Sequence, residues 1–232
     1  MSVSISPSKP STKGAPKGDQ PLLPTGWPLL AALFGYPVLW ALGLASFIWS
    51  ILLLPVGIHL LRRRQLAAPP GIGMWLVFLA LVVLSFVQVE SGSSAAVFLY
   101  RASIYLASGA FFVYTYNLSL TPAEERRLLL GVAAFWVFLI VGGFAALVMP
   151  TAEFSSALEL VLPRSLANQE FVRQLIHPVM AQLHDFLGYP VARPAMPFSF
   201  TNDWGSNVGL FAPVYLFVVR SLEGWPRRLG LF

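Results

Sequence analysis

The chain has 232 residues, 56% of them hydrophobic and only 11% charged, with a mean hydropathy of +0.70 and a formal net charge of +5. Soluble domains carry about 25% charged residues, so a water-soluble globular domain is excluded. The positive charge sits in short clusters beside apolar runs, a pattern of membrane orientation rather than nucleic-acid binding. Cysteine is absent, which excludes disulfides and thiolate metal sites.

Residues 1–26 are rich in Pro, Ser and Lys and contain no early apolar core, so they do not form a cleavable signal peptide. They read as a disordered cytoplasmic tail. The apolar stretch 27–61 is interrupted by Pro37 and Pro55. It is either one long helix after a short interfacial piece or two short spans hinged between Gly35 and Gly43. Further apolar runs follow at 73–89, 94–118, 127–149 and 205–221. A helix needs about 20 apolar residues to cross a bilayer, and the alternation of a β-barrel, in segments of about 10 residues, is missing. The expected fold is therefore all-α: a polytopic helical membrane protein with five or six transmembrane helices and a helical external loop.

Arg62-Arg63-Arg64, Arg126-Arg127 and the group Arg220, Arg227 and Arg228 fall on one face if the spans alternate. The positive-inside rule makes that face cytoplasmic. Lys9, Lys13 and Lys17 join them there in the six-span reading. The expected organisation is transmembrane helices over 27–149, an external loop over 150–204, a last span over 205–221 and a cytoplasmic end at 222–232. The expected location is the plasma (inner) membrane. The loop is too long and too patterned to be slack connection. Thr151 can cap a short helix running to Leu162. Phe171, Leu175, Val179, Leu183 and Phe186 then recur at helical spacing, kinked at Pro178 and stopped by Gly188-Tyr189-Pro190. This predicts an amphipathic helix on the outer membrane surface or against the spans.

The densest polar run lies between this loop and the last span, from Arg193 through Asn202, Asp203, Trp204 and Ser206 to Asn207. Arg193 reads either as an interfacial anchor or as a phosphate ligand, because the guanidinium fork matches phosphate oxygens. Asn202 or Asp203 can cap the following helix, whose N-terminus also favours an anion. Arg101 lies about two turns into the run 94–118. There it either snorkels to headgroups or serves a site; together with Arg193 it is a candidate clamp for a diphosphate. His177 and His184, seven apart, suit the polar face of a surface helix better than a metal pair, although a lone histidine also suits acid–base work. His59 reads as interfacial, Glu90 as a solvated helix end, and Glu124 and Glu125 as a solvated pair beside Arg126 and Arg127. Nucleotide loops, nucleophile elbows and carboxylate pairs at convincing spacing are not found.

Three pieces carry a family resemblance: the opening run ending Leu60-Leu61-Arg62-Arg63-Arg64, the segment with Leu162-Pro163 and the helix from Asn168, and Arg193-Pro194…Pro197-Phe198…Thr201-Asn202…Trp204-Gly205. With them the chain resembles the O-antigen ligase and polymerase-like membrane protein superfamily. Met196 stands where the family often carries glycine, which admits backbone conformations methionine resists. The resemblance implies transfer of a glycan from an undecaprenyl-diphosphate carrier at the outer face of the membrane, with Arg193 near the diphosphate and no metal or soluble cofactor. Family members carry more spans and a second external loop, so the chain is expected to be the N-terminal part of such a transferase, with a C-terminal half or partner subunit completing it. The alternatives are a non-catalytic membrane subunit that binds a lipid-linked glycan or a partner protein, and half of a transporter.

Overall fold

A computed structural model describes residues 25–63, 65–185 and 188–221. Most of the expected tail, including Lys9, Lys13 and Lys17, lies outside the described residues, as do Arg64, Phe186, Arg227 and Arg228.

Helix dominates. α1 (Trp27–Leu42) leads through a 3-10 turn, Ala45–Phe47, into α2 (Ile48–Arg62); α3 (Ile72–Leu84), α4 (Gly92–Tyr116) and α5 (Pro122–Val148) follow. Three short helices, α6 (Ala157–Val161), α7 (Arg164–Ala167) and α8 (Glu170–Ile176), precede a two-stranded antiparallel hairpin, β1 (Ala181–His184) and β2 (Val191–Pro194). α9 (Thr201–Ser221) closes the described chain. Three helical stretches, Ala45–Arg62, Gly92–Tyr116 and Pro122–Val148, are long and apolar enough to cross a membrane. α1 and the stretch Ile72–Gln88 are shorter. α9 has the length, but Asn202, Asp203, Ser206 and Asn207 make its first turns polar.

Pro37 and Pro55 both lie inside helices without ending them. The break in 27–61 falls at Gly43, whose φ of 78° is a left-handed helix-ending conformation, with its N–H bonded back to Trp40. α5 begins earlier than its apolar run. Thr121 and Glu124 form a capping box there, so Glu124 has a structural task beyond solvation. Arg63 at the end of α2 donates to the carbonyl of Asn117 at the end of α4 (2.7 Å), which ties these two helix ends together.

The core joins α1, α2, α4 and α5. Tyr36 sits edge-on to Phe135 at 5.2 Å, and Leu52, Val56, Phe111 and Leu139 fill the space around them. α9 lies along α5, where two adjacent glycines admit side chains against the backbone. Met196 packs over Gly142, and the Trp204 indole covers Gly143. The same indole donates from Nε1 to the Leu139 carbonyl at 2.9 Å, and Trp136 reciprocates from α5 to Val208 of α9, also at 2.9 Å. Trp204→Phe deletes the bond and shrinks the ring that covers Gly143, and is expected to cost about 1 kcal/mol for the bond and more for the lost packing. A fall in thermal midpoint of the protein in lipid nanodiscs checks this.

The amphipathic surface helix expected over 168–186 is corrected. α8 stops at Ile176 because Pro178 supplies no amide and its ring disfavours the helical conformation at the preceding residue. His177 is accordingly extended, with φ −94° and ψ 108°. Val179 pairs back to Glu153 as an isolated bridge, and Leu183 lies in β1, so the apolar residues at helical spacing do not share one helix. The loop expected to be helical thus contains a hairpin. The helix expected to begin near Thr151 starts instead after Ser156, whose hydroxyl accepts the Glu159 amide at 3.1 Å.

Candidate functional site

The hairpin brings the polar residues of two distant segments together. In its register Gln182 lies opposite Arg193, and directly opposed residues project to the same face. Gln182 is held at both ends: Nε2 donates to the Ser199 carbonyl (3.2 Å) and Oε1 accepts the Thr201 amide (3.1 Å). That clasp fixes the entry of α9 beside β2. Arg193 then donates from Nη2 to Asn202 Oδ1 at 3.1 Å. Arg193 is half-buried on its strand, whereas Asn202 and Asp203 are exposed in the first turn of α9. Although Asp203 is exposed over much of its surface, desolvation of the covered part of its carboxyl pushes it above its ordinary value.

Arg101 is placed elsewhere. It lines a cavity of about 410 Å³ between the end of α3 and α4, with Ser85, Ser94 and Tyr105 among its walls. Neither Arg193 nor Asn202 lines that cavity. Of the three residues expected to meet a diphosphate, the fold joins Arg193 to Asn202 and gives Arg101 a cleft of its own.

Met196 fits its position without a glycine. No described residue other than glycine has a positive φ, and the Met196 side chain is accommodated by Gly142 across the interface. Trp204, Pro197 and Thr201 are packing residues, so the polar run divides into a packed part that seats α9 and a more accessible part led by the half-buried Arg193 and the exposed Asn202.

His177 and His184 do not share a helix face: the first follows α8 and the second ends β1. His177 is the more informative. Its side chain is 10% exposed, with Nδ1 2.8 Å from Glu159 Oε2 and Nε2 3.5 Å from Glu153 Oε2. It lines a cavity of about 390 Å³ together with Glu153, Glu170, Arg173, Gln174 and Gln182. Among the described residues no group of three or more histidines and carboxylates is arranged to hold a metal ion. Sequence reasoning missed the two glutamates. Ser156-Ala-Leu-Glu159 is a capping-box pattern that marks the start of α6. Nothing local announces that the Glu159 side chain turns to His177, because the two stand 18 positions apart with Pro163 between them.

No protein-family model, curated protein or solved structure matches this chain.

Proposed function

We propose that the chain is an O-antigen-ligase-like membrane protein of envelope polysaccharide assembly, which handles undecaprenyl-diphosphate-linked glycan at the outer face of the plasma membrane. The observation that carries this reading is the Arg193–Asn202 pair. Asn202 holds one edge of the guanidinium, at the first turn of a 21-residue helix. A preset guanidinium beside a helix N-terminus suits a phosphate or diphosphate group. Such donors stabilise a diphosphate best as it departs with developing charge. Arg101 takes a lesser part, since its cleft lies apart from the pair.

Three apolar helices of spanning length support the membrane setting. The basic ends, Arg62-Arg63 and Arg126-Arg127, support an orientation in which the segment around Arg193 faces outward. The test is genetic and chemical together. Deletion of the gene is expected to raise the pool of undecaprenyl-linked glycan and lower finished surface polysaccharide, both measured by lipid extraction and mass spectrometry. Unchanged pools and unchanged polysaccharide would remove the reading.

A further inference from the structure

We infer that the His177 cavity is a saccharide-binding site that takes a neutral hexopyranose ring, with His177 Nε2 and Glu153 receiving its hydroxyls. The inference takes up the glycan half of the reading above and rests on it, but it uses none of the residues assigned to the diphosphate.

The starting point is the imidazole. An ionised carboxylate only accepts hydrogen bonds, so the 2.8 Å contact with Glu159 sets a proton on Nδ1, and in the neutral ring Nε2 then carries a lone pair. Glu159 does not line the cavity, while Glu153 does. The oriented ring therefore turns its Nε2 edge toward the Glu153 side. Nε2 is buried and has no hydrogen-bond partner; Glu153 Oε2, at 3.5 Å, is another acceptor. With a neutral ring these are two acceptors side by side with no proton between them, and they call for a donor in front of both. A buried polar atom left in this condition is costly. A ligand hydroxyl supplies the missing proton.

The rest of the wall selects the class of ligand. Arg173 offsets one of the two glutamates, Glu153 and Glu170, which leaves the lining at a low formal charge of −1 that disfavours an anion. Gln174 and Gln182 add amides that donate and accept. Gln182 is immobilised at both ends by the backbone of Ser199 and Thr201, so part of the wall is preset before anything binds. About 390 Å³ falls within the range of small-molecule pockets. A neutral ring with several hydroxyls matches mixed donors and acceptors at low net charge. The placement also fits a lipid-linked glycan. Gln182 stands opposite Arg193 in the hairpin, so a sugar in this cavity sits beside a diphosphate on Arg193.

The competing arrangement is an imidazolium clasp, with a protonated His177 bridging Glu153 and Glu159 for structural purposes alone. The deciding experiment is saturation-transfer NMR on the full chain in lipid nanodiscs, free of glycoside detergents. The probes are the methyl glycosides of glucose, galactose, mannose and N-acetylglucosamine. Transfer to the ring protons of at least one probe is expected from the wild type. It is expected to fall by about fivefold in E153Q, the effect of losing one hydrogen bond, and further in H177A. Because H177A can also disturb packing, E153Q decides; its carboxyl is 58% exposed, so the substitution leaves the buried ring in place. No transfer to any of the four probes, equal transfer in E153Q, or displacement of the glycoside by inorganic phosphate would each overturn the inference. A wild-type chain that binds glycosides but not undecaprenyl diphosphate would instead overturn the diphosphate reading and leave this site standing.

Discussion

Gly43→Ala is expected to loosen the seat of the whole 150–200 segment, with a loss of about 3 kcal/mol or more. Two effects act together. Gly43 has a φ of 78°, a conformation that costs an L-residue about 1–2 kcal/mol. A methyl group there would overlap the Ser156 hydroxyl and come within 2.7 Å of the Ile176 carbonyl. Overpacking of this kind costs about 1–3 kcal/mol. The Ile176 carbonyl is backbone and Ser156 is fully buried, so neither can swing aside. Ser156 is also the cap of α6, and moving it releases the Glu159 amide. Ser156→Ala, which removes only the cap, is expected to cost about 1 kcal/mol. Thermal midpoints in nanodiscs and protease cleavage between 150 and 200 read both effects. The two variants should separate clearly, and Gly43→Ala at wild-type stability would mean that this corner is not packed as described. A functional consequence follows, because Ile176 precedes His177 and Glu159 anchors the imidazole. Gly43→Ala should therefore weaken glycoside binding without touching Arg193.

Arg193→Ala is expected to reduce undecaprenyl-diphosphate binding by about 10- to 100-fold. The basis is a charged hydrogen bond of about 1.5–3 kcal/mol. Arg193→Lys keeps the charge but loses the planar fork, so it should recover only part of the affinity. That partial recovery separates a shaped phosphate contact from general attraction to anionic lipid, for which lysine would serve as well. Asn202→Ala keeps the guanidinium but removes this hydrogen bond to it, and a smaller loss is expected, about threefold. Arg101→Gln should weaken binding less than Arg193→Gln, because its cavity does not include the pair. Affinities measured by microscale thermophoresis at fixed ionic strength provide the check. Equal binding by the wild type, the Ala variant and the Lys variant would sink the assignment.

Asp203 gives the same site a pH dependence. Its carboxyl lies beside Asn202 and is pushed above its ordinary value by partial burial. The ionised form is the one that burial penalises. Its contribution to stability is thus present below the ordinary aspartate pKa and is lost as pH rises through the raised folded value. An ionised Asp203 also repels a bound diphosphate. Binding should strengthen as pH falls through that raised value, and Asp203→Asn should bind more tightly at neutral pH and flatten the profile. A pH series of affinities for the two proteins tests the sign.

Much of the fold was legible in advance because apolar composition and helical spacing are local properties. The helices at α2, α4 and α5 follow from apolar runs of spanning length, with Gly43 at the hinge ahead of α2, whereas the Thr121-x-x-Glu124 box that starts α5 before its apolar run went unread. The error at 168–186 has a local cause that was also present in the residues. From spacing alone Pro178 reads as a kink, yet its ring and missing amide end α8 at Ile176 and free the following residues to pair as strands. Periodicity alone cannot arbitrate there, since short apolar runs fit helix and strand alike. Met196 illustrates the opposite case. The residue conflicts with a glycine pattern when read alone, and it is accommodated because Gly142 lies across from it on another helix.

What the chain determined by itself is its character as an apolar, helical protein with helices of membrane-spanning length, and the presence of a polar run ahead of α9. Those depend on the transfer of side chains out of water and on hydrogen bonds between near neighbours, which each segment satisfies without the others. Only the tertiary structure decided which polar groups meet. It paired Arg193 with Asn202 through the hairpin register, moved Arg101 to a separate cleft, and set Glu153 and Glu159 around His177. The physical reason is that a hydrogen bond between residues far apart in the chain exists only after packing has fixed both backbones. Gly43, Gly142 and Gly143 perform that fixing by admitting close approach, and no periodicity in the sequence encodes which surfaces they will admit.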